Sequence, residues 1–179
     1  MTDLEWPDHH HVEAATGWLM LGNVVEARAE FEKLSTRSRQ RPRVLGVEWS
    51  LLSREQRWAE AVVVAEAQLT VLPNHPEPWV HRSFALHELR RTREAFDLLR
   101  PAAGRFPQDS TIPYNLACYA SQLGDLPGAR RWFEIVLACG SSPAEKLQRL
   151  RAALQDDDLQ PLWPELRQHL DRLSSESSP

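Results

Sequence analysis

The chain has 179 residues, of which 42% are hydrophobic and 26% are charged, a balance that is typical of a soluble globular protein. Its net charge of −4 gives no general attraction to nucleic acid or to an anionic membrane. Residues 1–11 lack the basic and apolar regions of a signal peptide, and no run of about 18 apolar residues occurs. We therefore expect a cytoplasmic protein without a membrane span, whose two cysteines are reduced thiols.

Four alanines recur at one fixed interval along the chain: Ala27, Ala61, Ala95 and Ala129. An interval of about 34 residues is the length of one helix–turn–helix unit in a repeat protein, where a small side chain lets two antiparallel helices approach closely. Hydrophobic residues at spacings of three, four and seven predict one buried face on each helix. Gly22 and Gly124 lie in the predicted turns, and Pro73 and Pro107 are predicted to end second helices.

The interval predicts four units and a closing segment in chain order. The units lie at about residues 8–41, 42–75, 76–109 and 110–142, and each contains two helices. Ser142 and Glu145 form the sequence pattern of a capping box, which predicts a helix to about Leu154, and Pro164 predicts a short helix to about Leu173. We expect these capping helices, 143–173, to complete a single domain of residues 1–173, and the serine-rich residues 174–179 to be disordered.

The second unit departs from the repeat pattern at one bulky residue. A strict repeat register places Trp49 where Ala15 and Ser83 are small. We therefore expect the first helix of this unit to be about one turn longer, with its register shifted. The strict register would instead put Glu48 and Arg82 at equivalent inward positions, as a buried ion pair.

A proline interrupts the third unit. Pro101 falls late in the second helix of this unit, where it removes a backbone hydrogen bond and clashes with the preceding turn. We expect a kink or an early end of this helix near Arg100.

These residues resemble the tetratricopeptide repeat (TPR) family over about residues 8–141. The third unit carries the aromatic, small and proline positions of that family as Trp79, Ser83 and Pro107, and the fourth unit carries Tyr114 and Ala120. The acidic, leucine-bearing segment at 155–163 resembles the end of bacterial TPR arrays. The resemblance implies an all-α, right-handed α-solenoid of about four TPR helix–turn–helix pairs with a C-terminal capping pair.

The resemblance also implies a non-catalytic protein-interaction module without a cofactor. In this family, the first helices of the units line a concave groove that holds a peptide or a helix of a partner protein. The matching positions here form a mixed apolar and polar set: Val12, Thr16, Leu19, Met20, Ser50, Ser53, Arg54, Val80, His81, Phe84, His87, Glu88, Tyr114, Asn115, Cys118, Ser121 and Gln122. Phe84 and Tyr114 would anchor a partner, or would pack between neighbouring helices.

Two other binding functions compete with groove recognition. Homo-oligomer formation would use outward-facing Trp6, Trp58 or Trp132, and would give a size that depends on concentration. RNA binding would use the arginines of two predicted loops, at 37–43 and 90–93, and would depend steeply on salt. The absence of interleaved aromatic residues disfavours nucleic acid as a partner.

Three groups of residues contain possible metal ligands or a possible nucleophile, but we expect none of them to form a functional site. Adjacent His9, His10 and His11 would point in different directions on a helix, so a flexible, solvated start is favoured over a metal site. Cys118 could pair with His81 or His87 as a nucleophile, but a packed thiol is favoured. Residues 156–158 are all aspartates and lack the alternating ligands of a calcium loop, so helix capping is favoured.

Overall fold

The computed structural model describes residues 4–139 and 142–176, which form helices joined by short turns. Its contacts divide the chain into two compact units, Met1–Leu89 and Arg90–Pro179, which are described separately below. The first unit contains α1 (Asp8–Met20), α2 (Val24–Glu32), α3 (Pro42–Arg54), α4 (Trp58–Val71) and α5 (Glu77–Glu88). The second unit contains α6 (Thr92–Arg105), α7 (Thr111–Gln122), α8 (Leu126–Ala138), α9 (Pro143–Ala153), a 3-10 helix (Asp157–Leu162) and α10 (Trp163–Glu176).

The alanines that define the interval are buried in the second helix of each repeat, as predicted. Ala27, Ala61, Ala95 and Ala129 lie in α2, α4, α6 and α8, and none of them has exposed surface. A methyl group takes little space between two helices, so the neighbouring backbones approach closely. Around these sites the first unit buries larger side chains, among them Phe31, Val44 and Leu51.

The turn inside each helix pair has the same backbone conformation at the same place in every repeat. Gly22 and Gly124 have φ values of +76° and +79°, and the equivalent residues Gln56 and Arg90 have φ values of +56° and +62°. A residue in the left-handed region that ends a helix is the mark of a Schellman turn. The bond of that turn, from the Asn23 N–H to the Trp18 carbonyl, measures 2.9 Å and recurs in α3 and α7.

Prolines that follow the second helices and a proline inside one of them have different effects. Pro73 and Pro107 each follow a helix that has already ended, at Val71 and Arg105, as predicted. The expected early end near Arg100 is wrong, because α6 continues through Pro101 to Arg105. Pro101 and Asp97, one turn earlier, are both exposed, so water can hydrate the carbonyl that loses its hydrogen bond.

The predicted lengthening of the first helix in the second repeat is wrong. Helix α3 has 13 residues, as α1 has, and begins at the equivalent position one repeat later, so the strict register holds. Trp49 is accommodated without a shift of register: its ring stacks on the ring of His81 and packs against the buried cluster that contains Leu45 and Ala61. The ion pair expected in this register is not found among the described residues: the guanidinium of Arg82 lies over the ring of Trp79, 5.5 Å from its centroid. Glu48 is half-buried, and burial raises the pKa of its carboxyl group.

The first repeat has a short second helix because a buried carboxylate binds the loop that follows it. Helix α2 ends at Glu32, whereas α4 continues to the equivalent of residue 37. The Asp8 carboxylate accepts a hydrogen bond of 3.1 Å from the Ser35 N–H and further bonds from the hydroxyls of Ser35 and Ser38. These hydrogen bonds lower the pKa of Asp8. Helix α1 begins at Asp8, so the expectation of a flexible start at residues 9–11 is wrong.

The closing segment begins as predicted and ends later than predicted. Ser142 and Glu145 form both bonds of the capping box, and α9 ends at Ala153. A 3-10 helix then leads into α10, which continues to Glu176 instead of ending near Leu173. Residues 174–176 are therefore helical, and the remainder of the predicted disordered tail, 177–179, lies outside the described residues. None of the helices within the described ranges has both the length and the apolar content needed to cross a membrane.

The positive φ of the repeated turn predicts opposite effects for two nearby glycines. Gly22→Ala should lower the free energy of unfolding by about 1 kcal/mol, because an L side chain is strained at this φ. Gly17 lies on the exposed side of α1, where a Cβ atom would meet nothing within 4 Å. Gly17→Ala should raise the free energy of unfolding by about 0.5–1 kcal/mol, since alanine favours a helix interior. Chemical denaturation of both variants measures the difference, and equal shifts would contradict this account of the turn.

Candidate functional site

An open groove of about 570 Å³ lies between the first helices of the repeats in the first unit. We call it the first-unit groove. Its lining residues are Thr16, Leu19 and Met20 from α1, Arg43, Gly46, Val47, Trp49, Ser50, Ser53 and Arg54 from α3, and His81 from α5. The structure therefore brings together seven of the positions that the sequence analysis assigned to a binding face, three of them on α1.

The wall of the groove on the α5 side is a stacked pair of rings. Trp49 and His81 lie parallel, with 3.8 Å between ring centroids and 7° between ring planes. The His81 Nδ1 atom lies 2.8 Å from Oε1 of Gln68, a buried residue of α4. With a hydrogen on Nδ1, His81 donates to this amide oxygen and is neutral. Burial lowers the pKa of His81 to about 4, which keeps the ring uncharged at neutral pH.

Two of the three hydroxyl groups that line the groove, those of Thr16 and Ser50, are already engaged as donors. The Thr16 hydroxyl donates to the Val12 carbonyl at 2.7 Å, and the Ser50 hydroxyl donates to the Gly46 carbonyl at 2.9 Å. Each hydroxyl therefore turns its hydrogen toward its own helix. These two side chains contribute only acceptor oxygens to a ligand.

The two arginines of the groove are in different electrostatic states. The Arg43 guanidinium pairs with the carboxylate of Glu13 on α1. Arg54 has no hydrogen bond or ion pair to any residue of the described ranges, and its side chain is exposed at the end of α3. No aspartate or glutamate is among the described residues that line the groove. Arg54 is therefore a cation that no carboxylate of the described residues contacts.

Three further α5 residues of the predicted face, Val80, Phe84 and His87, are at least partly buried, whereas Glu88 is exposed. Phe84 meets the rings of Trp49 and Trp58 edge-on, at centroid distances of 6.4 and 5.7 Å. His87 is buried, Val80 is half-buried, and neither these two residues nor Phe84 lines the first-unit groove. The packing alternative therefore describes Phe84 better than the role of a partner anchor.

In the second unit, the predicted binding face of α7 contacts the chain's own closing segment. The Tyr114 hydroxyl donates to Oδ2 of Asp156 at 2.8 Å, and the Gln122 side-chain amide donates to the Asp158 carbonyl at 3.2 Å. Cys118 Sγ lies 3.7 Å from the same Asp156 oxygen. These side chains therefore hold the 3-10 helix in place.

The other predicted α7 residues are at least partly enclosed in the second unit. Ser121 is buried and Asn115 is half-buried. The ring of Tyr114 also contacts the ring of Phe133 in α8, with 6.3 Å between centroids. The predicted face of α7 is therefore largely occupied by contacts within the chain.

Asp156 has a second role in this cluster besides capping a helix, because it also accepts hydrogen bonds from side chains of α7. Its second oxygen accepts the Asp158 N–H at 3.1 Å, which confirms the capping role expected for this run of aspartates. The bond from Tyr114, 42 residues earlier, has no local sequence signal, because it depends on where the closing segment packs. Burial, with a smaller effect of the Asp156 hydrogen bond and charge, raises the pKa of Tyr114 well above its usual range.

The same cluster contains the ligand types of a metal site. Cys118 Sγ and carboxylate oxygens of Asp156 and Asp158 lie within 4.8 Å of one another. Both oxygens of Asp156 already accept hydrogen bonds from the protein, so the arrangement has a structural explanation. Burial and the nearby carboxylates raise the pKa of the Cys118 thiol, so that it is protonated at neutral pH. A protonated, buried thiol is a poor nucleophile.

Some of the residues predicted to serve RNA binding or self-association already form contacts within the chain. Arg39 lies over the ring of Phe31 at 5.0 Å, and Arg91 forms a two-point ion pair with Glu94. Of the three tryptophans proposed for self-association, Trp6 is 76% exposed, whereas the other two, Trp58 and Trp132, are half-buried.

The histidines at the start of α1 point in different directions, as predicted. His11 pairs with Glu30 of α2, whereas His9 lies near Glu13 of its own helix. The three adjacent rings therefore do not converge on one point.

Several solved helical structures are similar to this chain at low sequence identity. A fragment of MamA from Desulfovibrio magneticus RS-1 matches with a TM-score of 0.71 and 15% identity, over 99% of this chain and 100% of that chain. TTC0263, a thermophilic TPR protein of Thermus thermophilus, matches with a TM-score of 0.66 and 16% identity, over 93% of this chain and 98% of that chain. Pseudomonas aeruginosa PilF matches with a TM-score of 0.68 and 14% identity, over 95% of this chain and 78% of that chain.

These similarities confirm the fold that the sequence predicted, an all-α tetratricopeptide-repeat solenoid. No protein-family model matches the sequence, and no curated protein sequence matches it. At these identities, the similarity concerns the arrangement of helices, and the function has to be argued from the chain's own residues.

The stacked His81 predicts a loss of stability in mild acid. The neutral ring is favoured in the folded state, where its pKa is about 4, relative to the unfolded state, where it is about 6.5. The stabilisation is therefore complete above pH 6.5 and falls as the pH decreases toward 4. Between pH 7 and pH 4.5, the wild type should lose about 2 kcal/mol more free energy of unfolding than His81→Gln. Replacing the exposed His75 in the same way is the control, and an equal loss in all three proteins would contradict the prediction.

The Tyr114 hydrogen bond predicts a role in stability. Tyr114→Phe should lower the free energy of unfolding by about 2 kcal/mol, because a bond to a carboxylate is lost and Asp156 is left without this donor. In the Tyr114→Phe background, Asp156→Ala should cost less than it does in the wild type, since the two side chains act as a pair. A double-mutant cycle by chemical denaturation measures this coupling, and strictly additive losses would show that the bond contributes nothing.

Proposed function

We propose that this chain is a non-catalytic protein-interaction module, and that the first-unit groove binds a segment of a partner protein. The observation that carries the proposal is the contrast between the two units. In the first unit, the equivalent face is open and lined by apolar and hydrogen-bonding side chains. In the second unit, Tyr114 and Gln122 are already bonded to the chain's own 3-10 helix.

The composition of the first-unit groove supports a polypeptide as its ligand. Leu19, Val47 and Trp49 provide an apolar wall, and Met20 is 84% exposed at one end. Apolar anchors bordered by hydrogen-bonding groups are typical of grooves that hold a peptide or a helix. Methionine adds adaptability, because its unbranched side chain can follow different partner shapes.

Self-association is a second candidate, and it is favoured by an exposed apolar surface that shares Met20 with the first-unit groove. The turn between α1 and α2 exposes Met20, Leu21 and Val25 at 84%, 77% and 76%, and Trp18 at 36%. Residues 17–25 contain no charged side chain, so two copies of this turn could meet without bringing like charges together. The tryptophans first considered for this function contribute less, except for Trp6.

The groove proposal is tested by capture from native lysate with matched variants. Met20→Glu combined with Ser53→Glu places two carboxylates in the groove, and we expect it to lose a partner that the wild type retains. Val63→Glu combined with Ile135→Glu makes the same chemical change at two exposed sites away from the groove and should retain it. Circular dichroism of all three proteins checks that each is folded.

Each outcome of this capture experiment discriminates between the candidates. A partner lost by the groove variant and retained by Leu21→Glu with Val25→Glu supports groove recognition. Equal recovery by both variants would contradict it. Recovery of the chain alone, abolished by Leu21→Glu with Val25→Glu, would favour self-association through the α1–α2 turn.

A further inference from the structure

We infer that the segment bound in the first-unit groove carries an apolar side chain next to a carboxylate, and that Arg54 binds this carboxylate. The inference rests on the proposed function and specifies the chemistry of the partner. It starts from the repeat itself, because Met20 and Arg54 lie one repeat interval apart and take equivalent positions on neighbouring helices α1 and α3. An apolar group and a cation therefore lie side by side at one end of the groove.

The charge of the lining residues favours a ligand that carries a negative charge. Arg43 and Arg54 are the charged residues among those that line the groove in the described part of the chain. Glu13 offsets the charge of Arg43, whereas no described carboxylate contacts Arg54. A guanidinium binds a carboxylate through two parallel hydrogen bonds, a geometry that few other groups match. A basic segment placed at the end of α3 would instead meet a like charge that forms no ion pair within the described residues.

The hydrogen bonds already formed in the groove also favour a carboxylate near Arg54. The hydroxyls of Thr16 and Ser50 already donate to backbone carbonyls, so they can only accept hydrogen bonds from a ligand. Arg54 carries five N–H donors and a full charge, which makes it the main donor available in the lining, beside the single hydroxyl of Ser53. A ligand acceptor of high charge density near Arg54 therefore has a matching donor, and the end of α3 is where that acceptor is expected.

Helix α5 limits where the bound segment can carry further acidic residues. Glu88 takes the position on α5 that Met20 and Arg54 take on α1 and α3, and its side chain is exposed. A second ligand carboxylate placed beyond Arg54, toward α5, would approach Glu88 and be repelled. The ligand is therefore expected to place an apolar group against α1, a carboxylate against α3 and no carboxylate against α5. This order distinguishes the groove from one that accepts any acidic peptide.

The inference is tested with random dodecapeptides displayed on phage and selected on the whole protein. We expect wild-type selections to be enriched in peptides with one Asp or Glu beside Leu, Ile, Phe, Met or Trp. A selected peptide, synthesised and titrated by fluorescence anisotropy, should bind Arg54→Glu about 10- to 100-fold more weakly than the wild type. Replacing the peptide's acidic residue by Gln or Asn should weaken binding to the wild type and not to Arg54→Glu.

Two controls keep the result specific to the groove. Arg93→Glu makes the same charge change at an exposed site in α6 and should leave the affinity within about twofold of the wild type. Arg54→Lys keeps the charge but loses the two-point geometry, and it should give an intermediate affinity. Selection on Arg54→Glu should enrich peptides with Lys or Arg at the same place.

The outcomes separate this inference from the function it rests on. Selected peptides that bind the wild type, fail to bind Met20→Glu with Ser53→Glu, and show no acidic enrichment would overturn the inference and leave groove recognition standing. An equal loss of affinity in Arg54→Glu and Arg93→Glu would also overturn it, because it would show a general charge effect. Peptides whose binding is unaffected by every groove substitution would overturn the proposed function together with the inference.

Discussion

The structure depends on bringing two helix backbones close together and then reversing the chain in a fixed number of residues. Buried alanines, such as Ala27 and Ala61, allow the close approach, and the residue with positive φ before each second helix makes the reversal. Gln56 and Arg90 adopt this φ without being glycine, so the packing around the turn imposes the conformation even where the residue is strained. Because both features recur once in every repeat, equivalent residues lie at equivalent heights on the first helices within each unit.

This fixed geometry gives each groove position a defined neighbour and leaves its chemistry to the side chain. Thr16, Ser50, Phe84 and Cys118 are equivalent in sequence, yet they play different roles. The first two line an open groove, Phe84 packs between two tryptophan rings, and Cys118 faces the closing segment. The position in the repeat therefore determines where on the first helix a side chain lies. The segments packed next to it determine whether it is available to a partner.

The sequence was sufficient for the features that the repeat itself dictates. The helix pairs, the buried alanines and the capping box at Ser142 follow from spacing and local hydrogen-bonding rules, and the structure agrees with them. Contacts between distant residues could not be predicted in this way. The bond between Tyr114 and Asp156 joins a repeat to the closing segment, and no periodic signal marks it. Asp8 likewise shortens the second helix of the first repeat through Ser35, 27 residues away.

Trp49 shows why a bulky residue at a small position misled the interpretation of the sequence. Volume alone suggested that α3 should shift its register, because a tryptophan cannot replace an alanine between two close backbones. The helix keeps its register, and the ring is accommodated partly buried, flat against His81 and packed on the core of the first unit. Burial in this stack lowers the pKa of His81, so the imidazole is neutral and lies on the indole without the cost of burying a charge. The same packing places an aromatic wall in the groove, close to the residues that we propose contact a partner.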